Sequence, residues 1–422
     1  MAQRPKIVLV GQLLTTPWVL DAAQRIGVDV VLVPWTGTSV EAARQATAVT
    51  EVLPLDIEGD PDNALAALVE RHRADPFDGI MAGNELVVPF TARAAKALGL
   101  TGLSEQAAAI VRDKRAMRRA LSEAGLEVPG FVLLERAEDW TDALTLRFPV
   151  VVKPVRGFSS LGVIRVDDKE QLEQAVGSTW ELVQARAHKP VETGGGGGVL
   201  VEEYLDGPEI SAESLVHDGR VRIGAIAWKG EITGPYFEET TLRAPAQLPT
   251  EILSAIEAEV VAAHQAFGVD QGATHTELRL VGGVRPVLLE MGARIGGGGF
   301  MHHFVQVSSG IDFAADTLRV HLGREPLCWT EETVPTGHAA AYLVPVGTGG
   351  VFRRVRGLDE VLADPRVDHV SQGVAPGTVL RPYPAWSAYP AIVLSHHASD
   401  AAAVAFRDHL VRTLHVEYEE QG

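Results

Sequence analysis

The stretch THTELRLVGGVRPVLLEMGARIGGGG, from Thr274 to Gly299, sets the strongest limit on what this chain can fold into. Alternation puts His275, Glu277 and Arg279 on one face of a strand and Leu278 and Leu280 on the other. Gly282-Gly283 signals a turn, and PVLLEM supplies the return strand. A loop of Gly282 to Arg285 sets Glu277 opposite Glu290 on the same face. Carboxylates so placed lie roughly 5 Å apart, and like charges directly opposed are destabilising. A divalent cation reverses that sign, because a hard ion such as Mg2+ takes one or two carboxylates together with nucleotide phosphates. The alternative is a surface hairpin with two solvated acids.

At 422 residues the chain exceeds what one core holds, so two to four structural units are expected. A hydrophobic content of 46% with 22% charged residues is that of a soluble globular protein. The net charge of −18 argues against nucleic acid or an anionic membrane as the main partner, but not against a phosphate ligand met by a few placed cations. The single cysteine, Cys328 in EPLCWT, cannot form an internal disulfide and reads as a packing residue; this fits a reducing cytoplasm. IVLV near the start is too short for a signal segment, and no apolar run reaches membrane-span length.

Residues 4 to about 104 read as an open α/β unit: strands KIVLVG, VDVVLVPW, EVLPLD and FDGIMAGNE, with helices PWVLDAAQRIG, NALAALVERHR and LVVPFTARAAKALG. Repeated strand–helix pairs imply a parallel, doubly wound sheet with right-handed crossovers. VGQLLTTP after the first strand lacks G-x-G-x-x-G, so a dinucleotide fingerprint is absent. Glu85, after Asn84, sits at the sheet rim and either faces a substrate or caps the next helix. The stretch 104–130 reads as a helix from the N-cap Ser104 to Gly125, basic in its middle at Arg112, Lys114, Arg115, Arg118 and Arg119. Such a face is usually solvated.

FPVVVKPVRGFSSLGVIRV then gives strand, loop and strand, with Lys153 closing the first strand. The loop 157–162, holding Ser159, Ser160 and Gly162, brings backbone N–H groups close to phosphates; a strand follows it, so it is no Walker A loop. Gly194 to Gly198 read as a flexible insertion. VLVEEYLDGPEISAESLVHDGRVRIGAIAWKG looks like three strands, the first ending in Glu202, Glu203, Tyr204 and Leu205, with Glu209 after the next turn.

The order of these pieces resembles the ATP-grasp superfamily of ATP-dependent carboxylate–amine ligases. THTELRL followed by LEMGARIGG is most similar to the bacterial L-amino acid ligases, which join two amino acids into a dipeptide. The resemblance implies an α/β (α+β) ATP-grasp fold: an N-terminal doubly wound parallel-sheet domain (1–104), the ATP-grasp domain (105–334, lid about 130–205) and a small C-terminal α+β domain (335–422). It implies that Lys114 and Lys153 hold ATP phosphates and that Ser159, Ser160 and Gly162 lie in the loop covering them. It further implies that the backbone of Glu202, Glu203, Tyr204 and Leu205 meets adenine, Glu209 the ribose, and Glu277 and Glu290 bind Mg2+, with Mn2+ a substitute. Arg294 matches the arginine beside the acyl-phosphate. Where many superfamily members carry an asparagine as third metal ligand, this chain has Gly292, which leaves the number of ions open.

The expected chemistry is phosphoryl transfer from ATP to a carboxylate, then attack by an amine, with release of ADP and phosphate; positioning and charge neutralisation carry the first step. His275 shares the face of Glu277 and would orient a substrate carboxylate or help deprotonate the amine. The resemblance implies that Gly297 and Gly298, in the run Gly296–Gly299, line the amino-acid pocket, and glycines there leave it roomy; of His302 and His303, pointing about 100° apart on a helix, His302 is taken as a substrate contact. Gly347, Gly349 and Gly350 read as a turn, and the end of the chain as helical SDAAAVAFRDHLVRTL. The expected partners are small-molecule carboxylates and amines, with a homodimer by analogy. A carboxylase or purine-pathway ligase, and a non-catalytic nucleotide-binding module, are the competing readings.

Overall fold

The computed structural model describes residues 4–14, 16–35, 38–186, 197–232, 234–384 and 388–419. Gly194 to Gly196 of the glycine run lie outside them. The chain opens with a four-stranded parallel sheet of β1 (Lys6–Val10), β2 (Asp29–Val33), β3 (Val49–Val52) and β4 (Gly79–Ala82), in the order β3-β2-β1-β4. β1 and β2 are buried along nearly their whole length, as strands covered on both faces must be. The helices are α1 (Trp18–Arg25), α2 (Val40–Gln45), α3 (Pro61–Ala74) and α4 (Val88–Leu98). The short α2, capped by Ser39, has no counterpart among the sequence expectations.

The helix expected over 104–125 is two helices, α5 (Glu105–Val111) and α6 (Lys114–Glu123). The break has a local cause. Asp113 turns its carboxylate back to accept from the Ala116 N–H as the N-cap of α6. The freed Lys114 N–H donates to the Val155 carbonyl beyond β6 (Val150–Pro154), at 3.1 Å.

A second four-stranded sheet, antiparallel, has the order β5-β8-β6-β7, with β5 at Phe131–Leu134, β7 at Ile164–Val166 and β8 at Val199–Glu203. Residues of α7 (Leu172–Arg186) cover one face of it, burying Leu172 and Val176 against Val150, Val152 and Val201.

The largest sheet has eight antiparallel strands in the order β13-β12-β9-β10-β11-β14-β18-β16. They are β9 (Glu209–His217), β10 (Arg220–Gly230), β11 (Thr241–Ala244), β12 (Gln271–Val281), β13 (Arg285–Gly292), β14 (His338–Leu343), β16 (Val367–Ser371) and β18 (Ile392–His397). Three strands from beyond residue 335 thus extend the sheet that carries the two acids. A small sheet of β15 (Gly350–Arg356), β17 (Val379–Leu380) and β19 (His415–Tyr418) completes the chain; Gly347 and Gly349 lie in the turn before β15, and Gly350 is already its first residue. The remaining helices are α8 (Thr250–Phe267), α9 (Met301–Ser309), α10 (Phe313–His321), α11 (Leu358–Leu362) and α12 (Asp400–Thr413). One hydrophobic core joins the N-terminal sheet to the large one, from Ile7 and Leu32 to Phe304, Phe313 and Leu394. Cys328 is buried, as expected of a packing residue, and no helix among the described residues is long and apolar enough to cross a membrane.

Candidate functional site

Two clefts meet at the β12–β13 hairpin. The first lies between the β5-β8-β6-β7 sheet and the large sheet, and is lined by Lys153, the 157–161 loop, the 202–205 segment and Glu209. The second runs toward the N-terminal sheet past His275, Arg294, Gly297 and Glu85. Lys114, Ser159, Glu239, Glu277 and Glu290 line both. The two acids therefore form the seam between the two clefts.

Glu277 and Glu290 are direct partners in the ladder, as expected, although the loop between the strands is one residue shorter than Gly282 to Arg285. Glu290 is engaged by the Lys114 ammonium at 2.5 Å. Glu277 Oε1 accepts from Lys229 Nζ at 2.7 Å and from His275 Nε2 at 3.2 Å. No hydrogen bond of Glu277 Oε2 is present among the described residues. Two donors on one oxygen leave the other open, which suits a hard divalent cation. Glu277 and Glu290 thus present carboxylate oxygens at the seam, and Glu209, Glu239 and Glu277 bring one oxygen each within 4.8 Å of one another.

Lys229 was not singled out in the sequence. At the end of β10, with its side chain fully buried, it meets Glu209 at 2.7 Å, Glu239 at 2.5 Å and Glu277. Burial works against its charge, but the three carboxylates outweigh it and raise its pKa well above the usual lysine value. Glu209, matched above to a ribose contact, is thus also a partner of Lys229, and of Arg279 at 3.0 Å.

His275 bridges two acids, with Nδ1 2.5 Å from Glu213 Oε1 and Nε2 on Glu277. Burial opposes its charge; Glu213 and then Glu277 prevail and raise it to about 10. With both ring nitrogens donating, the imidazolium has no lone pair for an incoming proton. The arrangement supports orienting Glu277 rather than deprotonating an amine. Glu213 was missed, although it alternates with Glu209 and Ser211 on one face of β9.

The basic residues of α6 divide: Arg119 is solvated as expected, but Lys114 and Arg118 are buried. Arg118 is fully buried, with Nε 2.6 Å and Nη2 3.1 Å from the two oxygens of Glu202. Lys153 pairs with Glu202 as well. Burial raises the Glu202 carboxyl, yet Arg118 and Lys153 outweigh it and hold it at about 2. The Glu202 side chain therefore anchors Lys153 from below. Of the 202–205 backbone, the Glu203 and Tyr204 N–H groups are spent on the Gly130 and Pro149 carbonyls, both at 2.9 Å. The Leu205 N–H has no partner among the described residues.

In the second cleft, Arg294 Nε lies 3.0 Å from Glu85 Oε2, and Arg112 Nη1 lies 3.0 Å from Glu85 Oε1. Helix capping falls to Asn84, whose side chain accepts from the Leu86 N–H, so Glu85 is free to face the cleft. Burial raises the Glu85 carboxyl, but Arg294 and Arg112 bring it below the usual range. Gly292 has a reason here: a Cβ at that position would come within 2.5 Å of Glu85 Oε2. The space an asparagine ligand would need is occupied by Glu85. Gly296 is likewise closed to a side chain, by His275 and Glu213.

Three expected contacts sit elsewhere. His302 is 2% exposed, its Nδ1 accepting from the Ala314 N–H at 3.1 Å, and it lines neither cleft. Helix geometry turned it inward to tie α9 to α10. Gly162 closes the loop but lines neither cleft, its carbonyl accepting from Thr179 at 3.1 Å. Gly298 faces the segment between β1 and α1, its carbonyl accepting from Thr16 at 2.6 Å, while Gly297 lines the second cleft.

Known families match three stretches: the ATP-grasp N-terminal domain over residues 20–102, the ATP-grasp domain over 146–301, and the L-amino acid ligase C-terminal domain 2 over 342–419. The chain is 30% identical over 250 residues to the alanine–anticapsin ligase of Bacillus subtilis (strain 168), covering 56% of this chain and 52% of that protein. It is 32% identical over 227 residues to a D-alanine–D-alanine ligase of Aromatoleum aromaticum, covering 52% of this chain and 68% of that one. The match thus spans about half the length of the anticapsin ligase. In three dimensions the chain is similar over its full length to an L-amino acid ligase from Bacillus licheniformis, with a TM-score of 0.91, 34% identity and complete coverage of both chains.

Proposed function

This chain belongs to the ATP-grasp ligases, on the branch of the L-amino acid ligases, and we propose that it joins two amino acids, or a related carboxylic acid and an amino acid, through an acyl-phosphate made from ATP. The observation that carries this is the seam: Glu277 and Glu290 stand where the cleft of Lys153 and the 157–161 loop meets the cleft of Arg294 and Glu85.

A carboxylate resists attack by an amine until its oxygen is made a leaving group, and phosphorylation does this. Lys153, buttressed by Glu202, and Lys114, beside Glu290, supply cations along the phosphate path. Mg2+, or Mn2+ in its place, supplies charge neutralisation on the transferring phosphoryl group when bound by Glu277 and Glu290. The loop at Ser159 and Ser160 covers the phosphates, the Leu205 N–H meets the adenine edge, and Glu209 faces the ribose. Arg294 and Glu85 form a plus–minus pair that complements an α-amino acid: Glu85 for the ammonium, Arg294 for the carboxylate and then the acyl-phosphate. Gly297 leaves room beside them. We divide the chain at about residues 104 and 334, with the lid at about 130–205, and expect a cytoplasmic homodimer.

The test is ATP turnover with Mg2+ against single and paired L-amino acids, resolving ADP from AMP and identifying products by mass. ADP release that needs a pair, with a condensed product, supports the proposal. AMP release would mean adenylation and would overturn the acyl-phosphate route.

A further inference from the structure

The phosphate loop is held from outside its own sheet. Ser159 and Ser160 adopt φ of 53° and 51°, left-handed values disfavoured for residues with a side chain. Inside the loop, the Leu161 N–H bonds the Phe158 carbonyl at 3.2 Å and the Val163 N–H bonds the Ser160 carbonyl at 3.1 Å. The Ser159 carbonyl turns outward and accepts from the Tyr383 hydroxyl at 3.1 Å, 224 residues further along the chain. Tyr383 is 9% exposed, and its oxygen lies 3.4 Å from that of Tyr389. Because the single Tyr383 proton goes to Ser159, Tyr389 is the donor between the two phenols. Tyr389 in turn packs on the core shared by the N-terminal and large sheets.

A planar peptide carries this contact into the cleft. The Ser159 carbonyl and the Ser160 N–H belong to one trans peptide unit and point in opposite directions. Fixing the carbonyl on Tyr383 therefore aims the Ser160 N–H away from Tyr383. That N–H has no partner among the described residues, and Ser160 lines the first cleft. We propose that Tyr383 is a positioning residue: the C-terminal segment sets, through the Ser159 carbonyl, the backbone donor that the loop offers to a nucleotide phosphate. This rests on the reading of the 157–162 loop as a phosphate cover.

Tyr383→Phe removes the hydroxyl and keeps the ring. The measurements are amide hydrogen exchange over residues 157–163, with and without MgADP, and MgADP affinity by calorimetry, in the wild type, Tyr383→Phe and Tyr389→Phe. In the wild type, MgADP protects the loop. Tyr383→Phe speeds exchange there, blunts the protection and weakens MgADP by ~5–10-fold, as expected for one lost hydrogen bond, while the melting temperature stays near wild type. Tyr389→Phe shifts both in the same direction by less. Wild-type exchange and MgADP affinity in Tyr383→Phe would overturn the role of Tyr383 alone. A wild-type loop that MgADP leaves unprotected would overturn the phosphate-cover reading and the inference with it.

Discussion

Glu277 and Glu290 face each other because two one-residue offsets cancel. The turn between β12 and β13 contains three residues, with Val281 paired to Arg285, rather than the four the sequence suggested. The difference is restored by one extra residue in β13, Leu289, at a bulge between the pairs Leu278–Leu288 and Glu277–Glu290. The bulge has a use: the Leu289 carbonyl accepts from Arg118 Nη2 at 2.8 Å, and Arg118 also holds Glu202. One irregularity thus ties the acid hairpin to the support of Lys153.

Replacing Glu290 by Gln keeps the shape and removes the charge. ATP turnover is expected to fall by about 100-fold or more, while MgADP binding stays within a few-fold of wild type. The pair of measurements is ADP release and nucleotide calorimetry. Unchanged turnover would remove Glu290 from the catalytic scheme.

Glu85→Ala leaves Arg294 and Arg112 without their shared carboxylate. If Glu85 meets the substrate ammonium, KM for the amino acid should rise on the order of 10–100-fold with KM for ATP little altered, since a lost partner in a buried charge pair costs a few kcal/mol. Equal increases in both would point to a collapsed cleft instead.

Lys229→Met strands Glu209, Glu239 and Glu277 together without their cation. Breaking such a buried arrangement costs about 3–5 kcal/mol, read as a lower denaturation midpoint. In the wild type, Glu277 is held well below its usual range despite burial, so its stabilising share is present at neutral pH and fades as pH falls. In the variant the buried charges face one another without the shared ammonium, and the penalty grows as pH rises past the ordinary carboxylate range. The gap between wild type and variant should therefore narrow from pH 8 to pH 5. A constant gap would mean that packing, not charge, is lost.

His264 predicts the acid limb of stability. It is 1% exposed, bonded through Nδ1 to the Val260 carbonyl at 2.7 Å and through Nε2 to Thr274 Oγ1 at 2.8 Å, and burial lowers it to about 4. The unfolded chain takes up this proton first, so stability falls as pH drops from about 6.5 toward 4, reaching a loss of roughly 3 kcal/mol from this residue. His264→Gln, which offers a donor and an acceptor without titrating, should flatten the slope of unfolding free energy between pH 7 and pH 5. An unchanged slope would assign the acid limb to other groups.

Much of this protein is legible along the chain because its signals are local. Apolar runs in KIVLV and VVLV specify buried parallel strands, alternation in THTELRL puts His275 and Glu277 on one face, and motif order identifies the ligase family. The ligands read from motifs, Glu277, Glu290, Lys114 and Lys153, do converge on one cleft. What tertiary structure alone decided is how each charge is made tolerable. Arg118, Lys229 and Glu213 carry no motif, and their meaning comes from partners 84, 48 and 62 residues away across the two antiparallel sheets. A buried charge must be matched in space, and the chain's order does not encode which distant strand supplies the match. His302 shows the converse: beside a glycine run it looked like a ligand, but its helix turned it into the core, where a backbone N–H claimed it.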